Sequence, residues 1–216
     1  IGRIKTLQFG LILFFIASLG CVFSSTIESL WFFRALQGIG GGAASVVARA
    51  MVRDLYHGAE AQRVMATVQI LFGIAPAIAP MIGGLLLSFN WQVIFVFLAV
   101  YAAIAMIMSS IILPETVDKS MRVPFTVLGA IKRYKLLLLD KEFALLVVSV
   151  SSNFAAFFIY VLASPIFLMD HLGFTPQQFG YLFIPTVTGM MFGSLIVKKA
   201  AGNIDSKLIL KFGYYW

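Results

Sequence analysis

Six apolar runs, each as long as the ~20 residues that a helix needs to cross a bilayer, constrain this chain more than any other feature. Charged residues make up 12% of the 216 residues, about half the share usual in soluble domains. We therefore predict an all-α membrane protein, a polytopic helical bundle in contact with the lipid bilayer. The predicted spans are 7–24, 30–51, 64–88, 91–113, 143–169 and 177–197, and a seventh begins near Leu208.

The basic residues predict how these helices are oriented. Fifteen of the sixteen Lys and Arg residues lie in alternate polar segments, and the segments between them contain none. Because basic loops stay in the cytoplasm, the first set is predicted to be cytoplasmic. The net charge of +7 then follows from topology and requires no nucleic-acid partner. The basic segments are 1–6, 49–63, 114–142 and 198–211, and the segments without Lys or Arg are 25–29, 88–91 and 170–176.

The remaining basic residue, Arg34, lies inside the second apolar run. A charge at that depth costs about 2.5–3.5 kcal/mol on insertion scales and usually faces a bundle interior or a water-filled cavity. A helical period places Gln37 on the same face as Arg34, among small and polar residues. We predict that this face lines a cavity. Its other members are Gly38, Gly41 and Ser45.

Proline and small residues mark the third span, which contains G-I-A-P-A-I-A-P-M-I-G-G over residues 73–84. Each proline removes a backbone donor and bends a helix, so Pro76 and Pro80 are predicted to set a hinge. Small residues four apart let a second helix approach closely. That packing face is predicted to comprise Ala75, Ala79 and Gly83, with Gly84 beside it.

The other spans differ in polarity. The first and fourth are apolar on all sides, and we expect the first to face lipid. The fifth is unusually polar at its middle, where Asn153 and Tyr160 are candidates for substrate contact. Between the fourth and fifth spans, residues 114–142 place apolar and basic residues at helical spacing. This predicts either an amphipathic helix on the membrane surface or a plain basic linker.

The chain offers little for enzyme or metal chemistry. No Asp, Glu or His lies inside a predicted span, and a membrane enzyme would need such a constellation. His57 and His171 are predicted loop residues, and the one cysteine, Cys21, cannot form a disulfide within the chain. A channel would repeat a filter motif, which this sequence does not show. We predict a transporter, with no catalytic residues, no metal and no cofactor.

Two motifs carry a family resemblance. The stretch R-A-L-Q-G-I-G-G-G, residues 34–42, resembles motif B of the major facilitator superfamily. The stretch I-A-P-A-I-A-P-M-I-G-G, residues 74–84, is similar to its motif C, the antiporter motif. With A-R-A-M-V-R-D after motif B and L-P-E-T after the fourth span, the chain looks most like the bicyclomycin/chloramphenicol-resistance (Bcr/CflA-type) multidrug group. The tail of motif A is matched by Gly2, Arg3 and Lys5.

The resemblance implies a partial major facilitator fold, with helices three to eight and the start of nine out of twelve. We expect the chain to be an interior piece of a longer protein. Residues 1–113 would end its first half, 114–142 would form the central cytoplasmic loop and 143–216 would start its second half. The implied protein is a monomer of the bacterial inner membrane that exports drugs or other small amphipathic molecules, energised by the proton gradient. A carrier for a metabolite such as a sugar or amino acid is the alternative.

The resemblance also implies roles for individual residues. Arg34 would couple proton movement to transport, with Gln37 supporting it. A guanidinium keeps its charge at any working pH, so the proton carrier is expected to be a carboxylate outside this chain. Ser45 is a further candidate for the substrate cavity. Motif B packing is assigned to Gly38, Gly41 and Gly42. The cytoplasmic gate is predicted to comprise Gly2, Arg3, Arg53 and Asp54, of which Arg53 and Asp54, by their place in a cytoplasmic loop, form either gating or loop salt bridges.

Overall fold

The computed structural model describes residues 2–118, 120, 122, 126–174 and 176–215, and side chains at 76, 77, 80, 127, 165, 169, 176–183, 206, 214 and 215 lie outside the description. Within these residues every regular element is a helix, which confirms the all-α fold class. The helices are α1 Arg3–Val22, α2 Ile27–Leu55, α3 Gly58–Leu87, α4 Trp91–Ile112, α5 Val127–Leu139, α6 Lys141–Pro165, α7 Pro176–Ala200 and α8 Ser206–Tyr215; a π-helical turn, Ile166–His171, follows α6.

The predicted turns fall where side chains can cap the next helix. Thr26 accepts a hydrogen bond from the backbone N–H of Ser29 at the start of α2, in a reciprocal capping box. The Asn90 side chain accepts one from Val93 N at the start of α4. Such caps satisfy backbone donors that a helix leaves unpaired at its N-terminus. Side-chain caps thus start α2 and α4 directly after short turns, whereas α3 begins after His57 without one.

The chain divides into two compact units, residues 1–122 with 183–216 and residues 123–182. In the first unit α1 packs between α2 and α4, and α3 contacts α2 and α4 more lightly. A small apolar cluster joins α1 to the second half of α2 through Leu7, Val47 and Met51. The second unit holds α5, α6 and the π-helical turn.

The prediction that α1 faces lipid is wrong for one of its faces, and α4, which the sequence shows as apolar on all sides, also buries one face. On α1 the buried residues are Leu7, Gly10, Ala17, Ser18 and Cys21, and most of them are small. On α4 they are also small, namely Ala99, Ala102 and Ser109. Small residues contribute little to a hydropathy pattern, yet they let two helix backbones approach each other closely. Large apolar residues on the same helices, such as Phe9, remain exposed.

Three of the described helical stretches are long and apolar enough to cross a membrane by length and composition, namely Arg3–Val22, Trp91–Ile112 and Lys141–Leu168. The helices α2, α3 and α7 have 29, 30 and 25 residues, which also exceeds the length needed at about 1.5 Å per residue. In α2 the charge of Arg34 and a run of glycines lower the apolar character. Six complete spans stay a prediction.

Candidate functional site

A chain of hydrogen bonds inside the α1–α2 pair holds Arg34. Its Nη1 donates to Gln37 Oε1 at 2.5 Å, and Gln37 Nε2 donates to Ser18 Oγ at 2.7 Å. The Ser18 hydroxyl donates in turn to the Phe14 carbonyl, also at 2.7 Å. Gln37 is 2% exposed and Ser18 is fully buried. Each polar group in this chain therefore has a partner, as a buried amide in an apolar environment requires.

The face predicted to line a cavity occupies two neighbouring arcs of α2. Gln37 lies on the arc that packs against α1, whereas Arg34, Gly38 and Ser45 are exposed. Gln37 stands at the border between the arcs, so its amide reaches Ser18 on one side and Arg34 on the other. The Arg34 Cζ atom lies 5.9 Å from the centre of the Phe95 ring of α4, at the outer limit of a cation–π contact.

This arrangement fixes the guanidinium while leaving donors open. Arg34 has five N–H donors, and within the described residues the hydrogen bond to Gln37 engages one of them. The site can therefore present a fixed positive charge and directed donors to an anion, a water or a polar substrate group. Sequence analysis found Arg34 and Gln37 but missed Ser18, whose only signal was a hydroxyl in an otherwise apolar run.

Glycines bring α1 and α2 into close contact at a point that sequence analysis missed. A Cβ atom added to Gly40 would lie 2.6 Å from the Gly10 carbonyl oxygen and 2.7 Å from Phe14 N. Gly41 is less tightly placed, with the Phe14 ring 3.5 Å from its Cβ position. At Gly38 and Gly42 no described heavy atom lies within 4 Å of that position. The packing role of Gly38 and Gly42 stays a prediction.

A second polar cluster lies at the end of the molecule where α1 begins and α2 ends. Arg3 Nε lies 2.8 Å from Asp54 Oδ2, and Thr116 Oγ1 donates to the same oxygen at 2.9 Å. The backbone N–H of Arg3 donates to Glu115 Oε1 at 2.8 Å. Gly2 is also part of this cluster, because a Cβ atom there would collide with the Glu115 carboxylate. The structure thus joins three of the predicted gate residues to the L-P-E-T segment.

The charges of this cluster shift the acidity of both carboxyls. The hydrogen bond from the Arg3 side chain lowers the pKa of Asp54, since it stabilises the charged form. At Glu115 partial burial acts to raise the pKa. Hydrogen bonds from the backbone N–H groups of Arg3 and Val117, with the charge of Arg122, outweigh it, so the pKa of Glu115 is lowered. Both carboxylates are therefore charged at neutral pH.

Arg53, the fourth predicted gate residue, lies elsewhere. It lines a groove of about 660 Å³ between α3 and the described part of α7, together with Gln69 and Ser194. Just beyond the end of α7, Arg63 Nη2 donates to the Ala201 carbonyl at 3.2 Å. Gly202 follows with a φ of +87°, and a Cβ atom there would lie 2.9 Å from Ala59 Cβ.

The remaining predicted residues are not brought to either cluster. Ala79 and Gly84 are exposed, and at Gly83 and Gly84 no described heavy atom lies within 4 Å of the Cβ position. The side chains of Pro76 and Pro80 lie outside the described residues, although the α3 backbone is helical through both. Asn153 and Tyr160 are exposed residues of α6, which belongs to the second unit.

No group of three or more His, Cys, Asp or Glu residues that could hold a metal ion occurs among the residues that the structure describes. The charged clusters instead pair each carboxylate with a guanidinium or a backbone N–H, as at Asp54 and Glu115. This chemistry suits reversible electrostatic contacts.

Comparison with known proteins indicates the kind of protein to which these two polar clusters belong. A family model described as Major Facilitator Superfamily matches residues 1–215. The chain is 32% identical over 213 residues to an uncharacterized MFS-type transporter, YdgK, of Bacillus subtilis, covering 97% of this chain and 53% of that protein. It is 28% identical over 211 residues to a bicyclomycin resistance protein homolog of Haemophilus influenzae, with coverage of 97% and 53%. It is 26% identical over 201 residues to the multidrug resistance protein MdtM of Escherichia coli strain K12, with coverage of 93% and 48%. The chain thus spans about half the length of these curated relatives.

Proposed function

Since the chain belongs to the Major Facilitator Superfamily, and so to a family of membrane transporters of small molecules, we propose that its protein exports drugs or other small amphipathic molecules in exchange for protons. The observation that carries the proposal is Arg34, a charge within a membrane helix held by Gln37 and Ser18. The names of two relatives, a bicyclomycin resistance protein homolog and a multidrug resistance protein, support the substrate class.

Arg34 serves this function as a fixed charge. Because a guanidinium does not release its proton at working pH, the carried proton resides on another group. Arg34 favours the charged form of a carboxylate that approaches it, and a cationic or polar substrate competes for that carboxylate. No predicted span of this chain contains Asp or Glu, so the proposal places the carboxylate on another part of the protein.

The cluster around Arg3 and Asp54 forms the proposed cytoplasmic gate. Its side chains are partly exposed, with Arg3 at 36% and Asp54 at 24%, so their contacts can break and re-form at small cost. The groove lined by Arg53 lies between α3 and the described part of α7, and Arg63 donates to the Ala201 carbonyl just beyond the end of α7. We propose that these contacts hold the cytoplasmic side closed in one state of the cycle, in a protein that acts as a monomer in the bacterial inner membrane without a cofactor.

The test is drug efflux and proton release in vesicles at matched expression. Replacement of Arg34 with alanine is expected to abolish both while leaving the protein in the membrane. Arg34→Lys is expected to retain part of the activity, because lysine keeps the positive charge but lacks the planar guanidinium that donates several hydrogen bonds at once. Arg49→Ala, which removes a guanidinium nearer the other end of α2, serves as the control and is expected to transport.

Each outcome separates the candidates. Full activity in Arg34→Ala would show that Arg34 has a structural role and would contradict the proposed coupling. Accumulation of a sugar or amino acid, with no drug efflux under a pH gradient, would instead identify a metabolite carrier. Loss of the protein from the membrane in Arg34→Lys as well as Arg34→Ala would assign Arg34 to folding.

The orientation has its own test. With Cys21 replaced by serine, single cysteines at Asp118 and Leu172 are expected to react with a membrane-impermeant thiol reagent from opposite faces. The basic segment that contains Asp118 should react from the cytoplasmic face. Reaction of both from one face would contradict the proposed topology.

A further inference from the structure

One side of the helix α5, Val127–Leu139, forms an apolar arc, and the proposed transport cycle gives this arc no role. Ala130, Ile131, Tyr134, Leu137 and Leu138 fall on one side at a 3.6-residue period. Four of these side chains are exposed large hydrophobic groups. Basic residues flank the arc or lie opposite it, and the helix contains no acidic residue. They are Lys132, Arg133 and Lys135.

The position of α5 along the chain indicates what lies against its apolar arc. It ends at Leu139, and α6 begins at Lys141, with Asp140 as the single residue between them. Because consecutive Cα atoms are about 3.8 Å apart, the end of α5 lies within about 8 Å of the start of α6. The stretch Lys141–Leu168 is long and apolar enough to cross a membrane. The end of α5 is therefore held at a membrane surface.

Within the described residues, the ion pairs join Arg3 to Asp54 and Arg122 to Glu115, and none includes a basic residue of α5. The Asp140 side chain accepts a hydrogen bond from Phe143 N at 3.1 Å, so it caps α6. A carboxylate in that position is stabilised by the N-terminal end of α6. Asp140 is therefore engaged as a cap, and phosphate headgroups are the anions that a bilayer surface offers to the basic residues of α5.

From these observations we infer that α5 is a membrane-surface helix that binds anionic phospholipid. Its apolar arc enters the boundary between headgroups and acyl chains, as such helices do to a depth of about 5–10 Å. The cations of Lys132, Arg133 and Lys135 bind lipid phosphates. The inference uses the membrane location of the family and is independent of the transported substrate.

Two leucines provide a matched pair for the test. Leu138 lies on the apolar arc and Leu136 lies almost opposite it, yet they are 61% and 62% exposed in the structure. Accessibility without a membrane therefore predicts no difference between them. Spin labels are attached to Leu138→Cys or Leu136→Cys in the intact protein, with the natural cysteines replaced, in vesicles of phosphatidylcholine with or without phosphatidylglycerol. Relaxation by oxygen, which enriches in lipid, is compared with relaxation by a water-soluble nickel chelate.

The expected result is a several-fold higher oxygen-to-nickel ratio at position 138 than at position 136 in vesicles that contain phosphatidylglycerol. In pure phosphatidylcholine the difference should shrink. Each basic residue replaced by glutamine should weaken docking by about fivefold, the factor that corresponds to the energy of one Lys or Arg near an anionic surface. Lys198→Gln with Lys199→Gln, at the end of α7, is the control and should leave the ratio unchanged.

Three results would overturn the inference. Equal access of the nickel chelate to both positions would show that α5 is a solvated linker. Shielding of position 138 from oxygen and nickel alike would show that the arc packs against protein. An oxygen-to-nickel ratio that does not change with phosphatidylglycerol would exclude anionic lipid as the group that α5 binds.

Discussion

Two regions rich in small residues, the α1–α2 contact and the α3 stretch around Gly83, look alike in sequence and differ in the structure. At the first, the positions of Gly10 and Gly40 have no room for a Cβ atom, since each faces the other's backbone. At Gly83, no described heavy atom lies within 4 Å of the Cβ position. Small residues at helical spacing therefore permit close approach without determining which helix approaches. The first region is a close contact in the structure, and at Gly83 the second has open space among the described residues.

The largest expected effect comes from adding one methyl group to the close contact. Gly40→Ala places a Cβ atom 2.6 Å from the Gly10 carbonyl, so it should destabilise the protein by about 1–3 kcal/mol, the usual cost of overpacking. Gly38→Ala, two residues away in open space, should be neutral or stabilising because alanine favours a helix. The unfolding midpoint in detergent with added dodecyl sulfate measures both. Equal midpoints for the two variants would refute the close contact.

A smaller effect is expected at the hydrogen bonds beside that contact. Gln37→Leu removes the partner of Ser18 and of Arg34 and should cost on the order of 1–2 kcal/mol. A double-mutant cycle with Ser18→Ala isolates the Gln37–Ser18 bond and should give a coupling of about 0.6 kcal/mol, up to ~1.7. A coupling near zero would mean that the two side chains stabilise the protein independently.

The α3 stretch should show little effect on stability and a large one on transport. Gly83→Leu has no described neighbour to displace, so the unfolding midpoint should move by less than about 0.5 kcal/mol equivalent. Drug efflux should nevertheless fall, because the large side chain blocks a contact made during the cycle. An unfolding cost as large as that of Gly40→Ala would show that Gly83 also lies in a permanent contact, and the difference between the two regions would vanish.

An effect on stability that depends on pH is expected at the cluster around Asp54, where α1 begins and α2 ends. Its pKa is lowered in the folded protein, so its charged form contributes stability that is complete above the unfolded value of about 4 and is lost as pH falls below it. Glu115 shifts in the same direction and adds to the effect. Because both side chains are partly exposed, the gain is at most about 1 kcal/mol per pair.

The predicted loss of stability at low pH is checked by unfolding midpoints between pH 7 and pH 3, measured in the natural protein and in Arg3→Gln. The variant should lose the extra acid sensitivity between about pH 5 and 3, the range in which carboxyls of ordinary pKa take up protons. Lys5→Gln, two residues along α1 from Arg3, is the control. An unchanged pH profile in Arg3→Gln would show that the ion pair contributes nothing to stability.

The sequence by itself determined the helices. Apolar runs and the basic segments predicted their order and approximate bounds, because a backbone in lipid must satisfy its hydrogen bonds within the helix. The largest difference is at α3, which begins at Gly58 and not at residue 64. The same reasoning identified Arg34, since a charge in an apolar run is conspicuous. It also predicted the amphipathic pattern that became α5.

Only the tertiary structure decided which faces meet. Hydropathy made α1 look lipid-facing, yet α1 packs between two helices through small residues. It could not single out Gly40 from Gly38, or connect Arg3 to Asp54 and Glu115 across 51 and 112 positions of sequence. The physical reason is that lipid tails and apolar side chains offer a helix nearly the same environment. Contacts are then selected by shape and by a few hydrogen bonds, which are properties of two surfaces together.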